Sequence, residues 1–221
     1  MEIDMEGVKA VIFDMDGVIV DSEPLWMKAE KKVFASVGVS VSEELGKITE
    51  ALTPAEVTRF WYERQPWTNK TLEEVENEVI DQVEFLINNE GYAMDGIKEI
   101  LERFKSRGYK IGLATNSPFR LISTVLNKFG LSGYFDVVSS AEHELRGKPD
   151  PAIYLSSARK LNVKPESCLV FEDSYTGLIA AKNAGMKVVA FLPGNVCCGS
   201  KFDIADMKIG SFSQFDFSLL D

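Results

Sequence analysis

The chain has no apolar stretch near the length of a membrane span, which argues against a segment that crosses a bilayer. It has one histidine, His143, and three cysteines, Cys168, Cys197 and Cys198, two of them adjacent. That cysteine set forms no disulfide framework and shows no metal-ligand spacing. A Ser–His–Asp arrangement has little to draw on, and His143, in SAEHEL, reads as an exposed loop residue. Cys197 and Cys198 are expected to be packing or surface residues, and the cysteine usage predicts a reducing, cytoplasmic compartment. The opening MEIDMEGVKA is acidic and lacks the basic-then-apolar order of a secretory signal. No cluster of Lys or Arg offsets the net charge of −10, so nucleic acid and membrane are disfavoured as partners. No internal repeat or low-complexity segment appears.

What the chain does have is a core. Hydrophobic residues make up 45% of its 221 positions and charged residues 26%, as in globular proteins. Residues 8–13 (VKAVIF), 109–114 (YKIGLA), 134–138 (YFDVV), 167–171 (SCLVF) and 187–192 (KVVAFL) are short apolar runs with little alternation, the mark of parallel strands buried on both faces. Helical patterns separate them. Residues 96–107 carry Ile97, Ile100, Leu101 and Phe104 on one stripe, with Asp95 as the expected N-cap and Gly108 as the stop. Residues 118–130 and 151–161 each open on a Pro at the expected first helical position, and residues 176–185 complete the alternation. This order predicts a doubly wound, Rossmann-like α/β fold with a parallel sheet. Beyond residue 193 the pattern weakens to one short strand near Met207–Ile209 and a short helix.

Residues 22–90 depart from this plan. Trp26, Ala29, Val33 and Val37 recur at helical spacing, and Thr53–Glu56 and Thr71–Glu74 are capping boxes that lead into apolar stripes. We expect an all-helical insertion there, with residues 1–21 and 91–221 forming the core. All three tryptophans, Trp26, Trp61 and Trp67, lie in it: as the core of a small helical unit, or with one or two rings facing the cleft. Glu23, near the expected hinge, is a candidate for contacting a ligand.

Ligands of open α/β sheets sit beyond the carboxyl ends of the strands. Asp14 and Asp16 follow the first strand, Thr115-Asn116-Ser117 the second, Lys148 the loop after the third, and Glu172-Asp173 the fourth. Residues i and i+2 of an extended segment point the same way, so Asp14 and Asp16 face one cavity while Met15 points elsewhere. With Asp173 they concentrate negative charge that an oxygen-ligated divalent cation relieves, and Mg²⁺ is the usual choice beside phosphate. Thr115 and Asn116 offer hydroxyl, amide or N–H donors, and Lys148 a compact cation, to phosphate oxygens. Ser117 reads as a helix cap, and Gly177 as a site of close backbone approach.

The stretches VIFDMDGVIVDSE, ATNS, GKPDP and VFEDSYTG resemble, in order, the four motifs of the haloacid dehalogenase superfamily. The resemblance runs from about Val8 to Leu192, and the helical insertion resembles that of members with a cap over the active site. DSEPLW and WYERQPW are similar to bacterial phosphatases of 2-deoxyglucose 6-phosphate and hexitol phosphates. It implies Asp14 as nucleophile and Asp16 as general acid/base. It further implies Thr115 and Lys148 as phosphate contacts, and Asp173, Asp14 and the Asp16 carbonyl as metal ligands. Glu172 is a ligand in some relatives and not in others. The expected activity is Mg²⁺-dependent hydrolysis of a small phosphorylated substrate, a sugar or sugar-alcohol phosphate. A hexose-phosphate mutase of the β-phosphoglucomutase type and a non-catalytic binding protein are the alternatives. The sequence does not fix an oligomeric state and is compatible with a monomer.

Overall fold

A computed structural model of the chain describes residues 5–49, 52–194 and 200–220. Cys197 and Cys198 lie outside the described residues. Six strands form one sheet: β1 (Ala10–Phe13), β2 (Lys110–Thr115), β3 (Val137–Ser140), β4 (Cys168–Glu172), β5 (Lys187–Phe191) and β6 (Met207–Ile209). The order is β3-β2-β1-β4-β5-β6 and every pairing is parallel. The four residues of β1 are all buried, as the central strand of a sheet covered on both faces must be. Its register sets Phe13 beside Leu113 on one side and Phe171 on the other. The tips of β1, β2 and β4 therefore end level, and the polar residues after them share one edge.

The alternation along these strands sorts side chains into two cores. Val11, Phe13, Ile111, Leu113, Leu169, Phe171, Val189 and Phe191 face one layer. Ala10, Ile12, Ala114, Cys168, Val170, Val188 and Ala190 face the other. The first layer is built on rings: Phe13 stacks on Phe171 at 4.7 Å and Phe191 on Phe212 at 4.2 Å. Phe212, Phe215 and Phe217 come from the weakly patterned tail, where short 3₁₀ turns drop single rings onto the sheet.

Eight helices are present among the described residues. Four fall between β1 and β2 before residue 91: α1 (Glu23–Ser36), α2 (Glu43–Thr49), α3 (Pro54–Arg64) and α4 (Leu72–Glu90). Both expected capping boxes form, Thr53 with Glu56 and Thr71 with Glu74. The chain enters and leaves this segment through one antiparallel bridge between Val20 and Ala93: Asp21 N donates to Tyr92 O at 3.1 Å and Met94 N to Ile19 O at 2.9 Å. The others are α5 (Ile97–Ser106), α6 (Phe119–Phe129), α7 (Ala152–Leu161) and α8 (Tyr175–Asn183). Arg120 of α6 reaches Asp81 and Glu84 of α4, tying the helical segment to the sheet layer.

Three local expectations are corrected. Gly96, at φ 82°, is the N-cap of α5 and no side chain caps it, because the left-handed turn there suits glycine and displaces Asp95. Pro118 and Pro151 stand at the N-cap, one residue before their helices. β3 begins three residues later than expected, because its pairing begins where Asp136 bonds the backbone of Ile111.

Candidate active site

The edge carries a cleft of about 860 Å³, lined by strand-end residues on one side and by α1 to α4 on the other. Asp14, Asp16, Thr115, Asn116, Lys148 and Asp173 all line it, so every candidate site residue is brought to one place. Met15 is fully buried and points away, as the extended backbone requires.

Lys148 is the hub. Its side chain is 3% exposed, and its ammonium donates to Asp14 Oδ1 at 2.9 Å, Glu172 Oε1 at 2.5 Å and the Ala114 carbonyl at 3.0 Å. Those are all the donors an ammonium has. Burial opposes its charge, but Asp14 and Glu172 outweigh burial and hold the group above its ordinary range. Its backbone N–H donates to Asn116 Oδ1 at 2.9 Å. The Asn116 side chain thus fixes the loop that carries Lys148, a use the sequence did not reveal.

Asp14 and Asp16 occupy opposite settings. Asp14 is buried; Met15 N donates to its Oδ1 at 2.7 Å, the same oxygen that meets Lys148. Burial first, then the Glu172 charge, push its carboxyl up to about 8 against the pull of Lys148. Asp16 turns the other way and receives four donors. Ser22 Oγ at 2.6 Å and Trp26 Nε1 at 3.1 Å bond its Oδ1. Ser117 Oγ at 2.7 Å and Thr115 Oγ1 at 3.1 Å bond its Oδ2. This carboxylate therefore joins the first turn of α1 to the tip of β2. Ser117, expected as a helix cap, spends its hydroxyl on Asp16, because the cap position belongs to Pro118.

Asp14, Glu172 and Asp173 each bring a carboxylate oxygen within 4.8 Å of the others. Asp173 is raised well above the usual carboxylate range by burial and by the charges of Glu172 and Asp14. Three acidic groups against one ammonium leave negative charge without a partner, in a setting where that is costly. An oxygen-only donor set of this kind fits a hard divalent cation. The Asp16 carboxylate is outside this cluster, so any part it takes in metal binding falls to its backbone carbonyl. The glycines make room: at Gly17 (φ 72°) an added Cβ would overlap the Asp173 carboxylate, and at Gly177 that of Glu172.

Some residues answer the open alternatives. Trp26 lines the cleft, whereas Trp61 and Trp67 are buried with Phe34 in the helical core. Glu23 lines the cleft at the start of α1. His143 is exposed, 5.2 Å from the Phe119 ring and away from the site. Tyr154 was not anticipated. It is fully buried, and its hydroxyl donates to Glu172 Oε1 at 2.6 Å. Burial and the Glu172 charge keep that phenol well above its ordinary range.

No described helix is long and apolar enough to cross a membrane. The family model for haloacid dehalogenase-like hydrolases matches residues 8–185. Hexitol phosphatase B of Escherichia coli (strain K12) is 38% identical over 209 residues, spanning 94% of each chain. A phosphorylated carbohydrates phosphatase of Thermotoga maritima is 37% identical over 180 residues, 81% of this chain and 83% of that one. In structure, β-phosphoglucomutase from Clostridium difficile superposes with a TM-score of 0.83 at 28% identity, over 96% of this chain and 94% of its own. With its four motifs converging on one cleft, the chain belongs to the haloacid dehalogenase-like hydrolases.

Proposed function

We propose that this chain is a Mg²⁺-dependent phosphatase of small phosphomonoesters, a sugar or sugar-alcohol phosphate, and that residues 22–90 form a cap over a core made of residues 1–21 and 91–221. The observation that carries the reading is the division of labour at one strand tip. Asp14 sits against Lys148 with its Oδ1 engaged, and Asp16 is held two residues on by four donors.

In the reaction the Asp14 carboxylate attacks phosphorus and the bond from phosphorus to the substrate oxygen breaks. Asp16 delivers a proton to that oxygen, so an alcohol leaves rather than an alkoxide. Water then attacks the aspartyl-phosphate and Asp16 takes its proton. Inorganic phosphate departs, returning Asp14 as a carboxylate and Asp16 as an acid. Thr115, Asn116 N–H and Lys148, which exchanges its bond to Asp14 for one to the phosphoryl group, bind the phosphoryl oxygens, and the Lys148 charge favours the transition state most. Asp14, Asp173 and the Asp16 carbonyl would hold Mg²⁺, which supplies charge neutralisation for the phosphoryl group.

The relatives named above, a hexitol phosphatase and a phosphorylated carbohydrates phosphatase, support this substrate class. Hydrolysis is favoured over mutase action because several cap cations are turned elsewhere, Lys31 alone of those in α1 and α3 lining the cleft. Lys28 is paired with Glu90, Lys32 with Gln82, and Arg64 lies over the Phe60 ring. A mutase needs a second phosphate site in the cap. The test is Mg²⁺-dependent phosphate release from hexose 6-phosphates, hexitol phosphates and β-glucose 1-phosphate, with Asp14→Asn as control. Release from one of the first two, abolished by Asp14→Asn and by chelator, is expected. Conversion of glucose 1-phosphate to the 6-phosphate with little free phosphate would replace this reading with a mutase.

A further inference from the structure

The Glu172 carboxylate is fully buried and accepts four hydrogen bonds, two on each oxygen. Lys148 Nζ at 2.5 Å and Tyr154 Oη at 2.6 Å bond Oε1. The Ser174 hydroxyl at 3.0 Å and N–H at 3.2 Å bond Oε2. A carboxylate offers about four lone-pair positions, so this one is full. Asp173 differs: among the described residues no hydrogen bond engages its carboxylate, although it lies in the same acidic cluster. Tyr154 also touches the hub a second way, since the Lys148 ammonium lies 5.1 Å from the centre of its ring. Ser174 is itself fixed as the N-cap of α8, its hydroxyl accepting from Gly177 N at 3.1 Å.

We propose that Tyr154 is a positioning residue: with Ser174 it fills the Glu172 carboxylate and so makes Glu172 the anchor of the Lys148 ammonium, not a ligand of the metal. The hydroxyl holds Oε1 on the lysine side, and the lysine in turn meets Asp14. Loss of that hydroxyl lets Glu172 turn, and the ammonium loses its fixed place beside the attacking carboxylate. The inference rests on the phosphatase reading for its kinetic part and on the metal cluster for the rest.

Tyr154→Phe removes the hydroxyl and keeps the ring. Its kcat is expected to fall about tenfold with KM within about threefold, the pattern of an interaction made in the transition state. Calorimetric Mg²⁺ titration of the unreacted protein supplies a readout separate from turnover. Asp173→Asn is expected to weaken Mg²⁺ binding at least about tenfold more than Glu172→Gln does, since only the first removes a ligand. A Tyr154→Phe kcat within about twofold of the parent would make the hydroxyl mere packing and overturn the proposal. So would a Glu172→Gln loss of Mg²⁺ affinity equal to or greater than that of Asp173→Asn, since that would give Glu172 the weight of a ligand. If the parent protein released phosphate from nothing on the panel, the phosphatase reading would fail. The calorimetric comparison would then still decide the assignment of Glu172.

Discussion

Gly177→Ala sets two magnitudes against each other. Gly177 is the third residue of α8, and alanine in a helix is favoured over glycine by up to about 1 kcal/mol. Against this, the new methyl would occupy the space of the Glu172 carboxylate, which is fully buried and cannot move toward solvent. If two of its four hydrogen bonds are lost, at about 1.5 kcal/mol each for a charged group, the cost is about 3 kcal/mol. Overpacking adds about 1–3 kcal/mol. The balance is a destabilisation of about 3–5 kcal/mol, or roughly 6–20 °C in Tm for a chain of this size. Urea unfolding followed by fluorescence measures it, and kcat should fall as well because Lys148 loses its anchor. A Gly177→Ala protein at least as stable as the parent, with kcat unchanged, would refute the packing argument at Glu172.

Other outcomes follow from the same geometry. Trp26→Phe and Ser117→Ala each remove one of four donors to Asp16, and each should lower kcat about tenfold with the fold intact by circular dichroism. The metal-stripped protein should lose thermal stability as pH rises from 5 to 8. Asp14 has a folded value of about 8 against an ordinary 3.8, so the folded state binds the extra proton in that window, and stability falls as pH climbs through it. Added Mg²⁺ should flatten that slope, as scanning calorimetry at several pH values would show. Arg120→Ala breaks pairs with Asp81 and Glu84 that are largely exposed, so urea unfolding should register less than about 1 kcal/mol.

The legibility of this protein in its sequence divides along physical lines. Asp14, Asp16, Thr115, Lys148 and Asp173 could be read because each follows a short apolar run, and a parallel sheet brings the ends of such runs to one edge. The strand pattern survives in sequence because both faces of β1, β2 and β4 are buried. Trp26 and Tyr154 could not be read that way. Both sit in helices whose periodicity reports which face is buried, not that a carboxylate shares that interior. Ser117 stands before a proline, where a cap is the commoner use, and only the fold turns its hydroxyl toward Asp16. The tail rings Phe212, Phe215 and Phe217 lie in or just after 3₁₀ turns too short to carry a period.

The central claim is that Asp14 takes the phosphoryl group. Rapid acid quench of a single turnover, followed by mass analysis of the peptide containing Asp14, tests it directly. The account predicts a phosphoryl adduct on Asp14 that forms and decays no slower than turnover, and none in Asp14→Asn. Phosphate release with no adduct on Asp14 at any time, and with Asp14→Asn still active, would contradict it.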